Sequence, residues 1–199
     1  MPETMTERVY QGIALPPVGT YRFDKAHTEL GFVARHMISR VRGRFTEFDG
    51  TIVIGESLED SYVEVEIEAA SIWTNTGMRD DHLRSGDFLE AETYPELTFR
   101  STAVRPTGGT TFQLVGDLTI KDTTNEVVLD AEFLGFGPGS QGGTVVAFTA
   151  KTEIDREDWD MTWNMAVETG GLLVGKTVQI EIDVEALFVE DEGSDRIRG

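Results

Sequence analysis

Strict alternation of apolar and charged residues recurs along this chain, and no other feature narrows its fold so far. In YVEVEIEA, residues 62–69, Val63, Val65 and Ile67 alternate with Glu64, Glu66 and Glu68. In TVQIEIDVEA, residues 177–186, Val178, Ile180, Ile182 and Val184 alternate with Gln179, Glu181, Asp183 and Glu185. A period of two sends the two sets to opposite faces of an extended strand. Each stretch therefore reads as a strand with one dry face and one wet face.

Weaker versions of the pattern fill most of the chain. Phe112, Leu114, Gly116, Leu118 and Ile120 share one face of 111–121, and Val127, Leu129, Ala131 and Phe133 one face of 126–134. Val146, Phe148, Ala150, Thr152 and Ile154 share a face of 145–155, and Leu97, Phe99, Ser101 and Ala103 a face of 97–104. Further strands fit 28–35 and 41–54. Turn signals separate them at 55–57, 106–109, 122–125 and 135–143. About eight one-sided strands with hairpin-length links predict an all-β protein: an eight-stranded antiparallel up-and-down barrel. A two-sheet sandwich has nearly the same signature and is the alternative. Ala69, Gly116, Ala131 and Ala150 are small at inward positions beside Phe112, Phe133 and Phe148. That pairing fits either an open tube or large side chains interlocked with small ones.

The 199 residues fit one domain, spanning 18–189. Residues 1–17, ending in Pro16-Pro17, read as a flexible lead-in, and 190–199 as a flexible tail. Acidic residues outnumber basic ones 36 to 17, for a net charge of −19. Such a surface repels phosphate backbones and anionic headgroups, which disfavours nucleic acid and membrane docking as partners. No cysteine is present, so disulfides, thiolate catalysis and cysteine metal sites are excluded. The first residues hold no apolar run of signal length, and nothing reads as a transmembrane segment or stable membrane insertion. The expected location is the cytoplasm.

One segment breaks the alternation. MRDDHLRSGDFLEAETYP, residues 78–95, predicts a short helix, with Thr76 as a candidate cap and Pro95 as its stop. Met78, Leu83, Phe88 and Leu89 are its apolar residues, and most of them can turn inward. It would plug one barrel end. Its charged residues have two readings. Arg79, Asp80, Asp81, His82 and Arg84 pair with one another and with loops to anchor the plug. Alternatively, Arg79, His82 or Arg84 meets the polar head of a ligand whose tail enters the barrel, since a guanidinium matches carboxylate and phosphate oxygens.

Catalytic patterns are weak. The three histidines are His27, His36 and His82. His27 and His36 are nine residues apart, an odd separation that puts them on opposite faces of one strand, so a three-histidine metal site needs a turn between them. DREDWDMTWN, residues 155–164, lacks the central glycine and closing glutamate of a calcium loop. It reads as a tight loop with Trp159 and Trp163 packed on the barrel. No metal, cofactor or catalytic residue is assigned.

Five ordered segments carry a resemblance: YRFDKAHTELGFVARHMISRVRGRF (21–45), MRDDHLRSGDFLEAETYPELTF (78–99), GDLTIKDTTNEVVLDAEF (116–133), EIDREDWDMTWN (153–164) and GGLLVGKTVQIEIDVEAL (170–187). Together they resemble the YceI-like family over roughly residues 20–188. The resemblance implies a lipocalin-like barrel with a helical element near one end. It also implies non-catalytic binding of a long amphiphile, a polyisoprenoid, quinone or fatty-acid derivative, and a homodimer. Many members are exported, and the missing signal segment departs from that pattern. The inward phases nominate Val65, Ile67, Phe99, Phe112, Leu114, Leu129, Phe133, Phe148 and Ile154 to line the tail, with Trp73 and Trp163 near the ends. The head candidates are Arg79, His82 and Arg84, then Arg35 and His36. The competing readings are a histidine-dependent metalloprotein or enzyme acting on a hydrophobic substrate, and a filled barrel used for protein interaction.

Overall fold

A computed structural model describes residues 8–140, 142–168 and 171–189. Two short strands, β1 (Arg8–Tyr10) and β2 (Ile13–Leu15), pair with each other alone. The main sheet holds β3 (Gly19–Phe23), β4 (Glu29–His36), β5 (Ser39–Phe45), β6 (Phe48–Ile54), β7 (Tyr62–Glu68) and β8 (Ile72–Trp73). After helix α1 (Gly77–Arg84) it continues through β9 (Glu96–Gly108), β10 (Thr111–Ile120), β11 (Thr123–Pro138), β12 (Thr144–Asp155) and β13 (Val174–Val189). A 3₁₀ turn, Arg156–Trp159, follows β12.

The sheet closes on itself. β3 and β4 lie one after the other along β13; β6 and β5 flank them; β7 and β8 come next. β9 to β12 follow as a meander, and β12 pairs with β13 over Val145–Asp155. Each consecutive pair is antiparallel, so eight strand tracks form the predicted barrel and no long sheet edge is left to solvent. The alternation explains the closure. The lumen side of β7 and β13 carries Val65, Ile67, Ile180 and Ile182, while Glu64 on the outside pairs with Arg100 at 3.2 Å.

Two details depart from the sequence reading. Residues 8–15, placed there in a lead-in, form a hairpin turned by Gln11 and Gly12, both at positive φ. Arg8 fastens it to the carbonyls of Pro16, Gly55 and Glu56. β11 runs past the predicted break at 135 to Pro138, because a bulge between Phe133 and Gly135 absorbs the irregularity. The expected short helix is present: it spans about two turns and ends at Arg84, and turns and bends carry the chain on towards Pro95. Residues 1–7 and 190–199, the outer parts of the predicted lead-in and tail, lie outside the described residues. Among the described residues, no helix is long and apolar enough to cross a membrane.

The helix end of the barrel is the packed end. Ala69, Ile72, Leu89, Leu97, Leu118, Ile120, Trp159 and Met161 form one buried cluster there. The Trp159 indole N–H donates to the carbonyl of Leu118 at 3.1 Å, which pins the 3₁₀ turn across the barrel end.

Candidate functional site

Phenylalanines and glycines on adjacent strands keep the interior open. The rings of Phe32, Phe23 and Phe99 occupy the space that a side chain at Gly43, Gly50 and Gly116 would need. A ring laid over a glycine stays near the wall instead of reaching across the lumen. The result is a cavity of about 730 Å³, within the range of small-molecule sites. Eight of the chain's eleven phenylalanines line it: 23, 32, 45, 88, 99, 112, 133 and 148. Between them the walls are mostly aliphatic.

The floor is the helix end, where Leu83, Phe88, Leu89, Leu118, Ile120 and Met161 line the cavity. The lining runs out at the opposite rim to residues 55–59 and 61, to 109–111, and to Tyr10, Ile13 and Leu15 of the hairpin. Polar groups are few and lie unevenly. Among the described residues the rim carries Arg8, Glu56 and Glu59, and the floor carries one charged residue, Arg156.

Of the tail candidates, Val65, Ile67, Phe99, Phe112, Leu114, Leu129, Phe133, Phe148 and Ile154 all line this cavity. Trp73 and Trp163 do not. Trp73 is half exposed, with the Arg44 guanidinium 4.9 Å from its ring centre. Trp163 packs against His82 at 4.5 Å and Phe88 at 5.5 Å, one layer outside the lining.

None of the five head candidates reaches the cavity, and local hydrogen bonds explain why. Arg79 donates to the hydroxyl and carbonyl of Thr74 at 2.7 and 2.8 Å and to the Thr76 hydroxyl at 3.1 Å. Thr76 holds the N-cap position, yet its side chain makes no cap bond to the helix. Asp80, buried at 4% exposure, accepts the Thr74 backbone N–H at 2.8 Å. Arg84 donates to the carbonyls of Ala70 and Ile72 and pairs with Asp81. His82 pairs with Asp87 at 2.8 Å. These bonds are the anchoring network of the first reading. Arg35 and His36 sit at the far end of β4, opposite Arg40 and Ser39. Met78 also turns away from the plug, at 87% exposure.

The three imidazoles are not gathered. Among the described residues the compact group of potential metal-binding side chains is Asp24, His27 and Glu185, near the surface. His27 bonds Asp24 at 2.8 Å, and that bond raises the imidazole above its ordinary value of 6.5.

The sequence reading passed over Arg156. It is 3% exposed and lines the floor. Its Nε donates to the carbonyl of Gly175 at 2.9 Å, and its Nη1 to the carbonyl of Met161. Among the described residues its Nη2 has no hydrogen-bond partner. Burial lowers its proton affinity, an effect opposed by the charges of Glu157 and Asp155. The available signal was an arginine immediately after a one-sided strand, where the chain turns across the barrel end.

Comparison with known proteins agrees with this geometry. The UPF0312 protein of Staphylococcus aureus strain N315 is 38% identical over 169 residues, covering 83% of this chain and 95% of that protein. A Campylobacter jejuni YceI protein superposes with a TM-score of 0.68 at 28% identity, covering 78% of this chain and 90% of the other. A domain from Saccharophagus degradans, described as polyisoprenoid binding, shares the fold at a TM-score of 0.63 and 14% identity, covering 87% of this chain and all of the other (100%). The YceI-like domain matches residues 21–186, from the first barrel strand to the last, and the chain belongs to the YceI-like family.

Proposed function

We propose that the protein binds one long amphiphile, isoprenoid or acyl, inside the barrel and does not transform it. The carrying observation is the apolar cavity of about 730 Å³ running from the helix floor to the loop rim. A lumen of that size and polarity rewards burial of a chain, at about 0.8 kcal/mol per CH₂. The description of the Saccharophagus degradans domain as polyisoprenoid binding supports the isoprenoid class. A filled barrel used only for protein contacts would have a solid interior, which does not fit a lumen of this size.

Calorimetric titration with alcohols of increasing chain length tests the reading. Affinity should rise about fourfold per added CH₂ until the lumen is full, then level off. Gly43→Ala pushes the Phe32 ring inward and should bring the plateau to shorter chains. No binding, or affinity independent of chain length, would overturn the reading.

A further inference from the structure

We propose that Arg156 is a head-group anchor, donating to an anionic oxygen, carboxylate or phosphate, of an amphiphile that enters head first with its chain towards the rim. The inference rests on the barrel reading and adds the chemistry and orientation of the ligand.

Four observations carry it. The guanidinium lines the floor of the apolar lumen with one nitrogen, Nη2, lacking a partner among the described residues. An unpaired buried donor is costly, and more so on a charged group. Its other bonds reach only backbone carbonyls, and its charge is met only at a distance, by Glu157 and Asp155 and by the Phe88 ring 5.8 Å away, with no contact ion pair. The nearby carboxylates are engaged elsewhere: Glu157 pairs with Lys176 at 2.6 Å, and Asp155 accepts the Glu157 backbone N–H at 2.9 Å. No carboxylate among the described residues lies within ion-pair distance of Arg156, so a ligand anion would supply the missing charge.

The rim is the poorer place for an anion. Glu56 and Glu59 line it, and the one cation there among the described residues, Arg8, is bonded to three backbone carbonyls. An acidic rim and a single cation on the floor both favour an anionic head at the bottom.

The experiment compares one chain with three heads: farnesyl phosphate, farnesoate and farnesol, titrated by calorimetry into wild type, Arg156→Gln and Arg156→Lys. Wild type should bind at least one anion about ten- to a hundredfold more tightly than farnesol, and the better arm identifies the anion. Arg156→Gln should remove most of that preference, lowering the affinity for the anions about tenfold or more beyond any loss for farnesol, and Arg156→Lys should keep part of it. Equal wild-type affinities, or a preference that survives in Arg156→Gln, would overturn the anchor while leaving the barrel reading intact. Failure of all three ligands would overturn both.

A wild-type measurement covers the case of a variant that does not fold. Trp159 shares the 3₁₀ turn of Arg156, and Trp163 packs on Phe88, whose ring lies beneath the guanidinium. α-Bromopalmitate should quench tryptophan fluorescence more strongly than ω-bromopalmitate. The reverse order would overturn the head-first orientation.

Discussion

Asp80 shows how a charged residue in a polar-looking stretch becomes structural. Its carboxylate takes both the backbone N–H and the hydroxyl of Thr74, joining the start of the helix to the strand before it. Asp80→Ala should cost about 2–3 kcal/mol, read by chemical denaturation, because the hydrogen bonds are charge-assisted and buried. The sequence could not separate this role from ligand binding. Spacing shows that Arg79, Asp80 and Arg84 share a short helix, but not that Thr74 and two carbonyls lie within their reach. Arg156 was missed for the complementary reason. Its neighbours in sequence are acidic, and only the fold turns it under the lumen. His27 offers a pH test. Its hydrogen bond with Asp24, then the charges of Asp24 and Glu185, raises its pKa, and the same bond lowers that of Asp24. The imidazolium contribution is therefore complete below its ordinary 6.5 and fades as pH rises through the raised value; the Asp24 contribution is present above its ordinary 3.8 and fades as pH falls through the lowered value. His27→Gln should flatten the decline in stability as pH rises above 6.5. An unchanged slope would assign that decline to other groups.

Strands were the most legible elements, because burial on one face writes itself into the sequence at period two. All nine strand-derived tail candidates line the lumen, as alternation is set by the pleat and not by distant contacts. The two tryptophans were placed by proximity to the ends, where no period constrains direction, and both lie outside the lining. β1 and β2 escaped notice because three residues are too few to show alternation. Their hairpin lies on the rim, with Tyr10, Ile13 and Leu15 in the lining. Removing residues 1–16 should therefore speed both uptake and release of a bound chain in stopped-flow fluorescence while leaving the barrel folded. Tyr21, fully buried and donating to the Pro17 carbonyl at 2.8 Å, remains in place to hold the new start. Unchanged rates would make the hairpin a bystander.

For the molecule as a whole, the barrel resolves the choice the composition left open. Glycines opposite phenylalanines give a tube where interlocked side chains would have given a plug. The helix closes one end, the acidic rim surrounds the other, and the charged exterior keeps an apolar container in solution. The most direct test is native mass spectrometry of detergent-free protein after incubation with a polyprenyl or acyl lipid, followed by organic extraction. The account predicts a discrete one-to-one adduct whose extracted mass is that of the intact lipid. A mass that stays at that of the bare chain across the lipid series would contradict it.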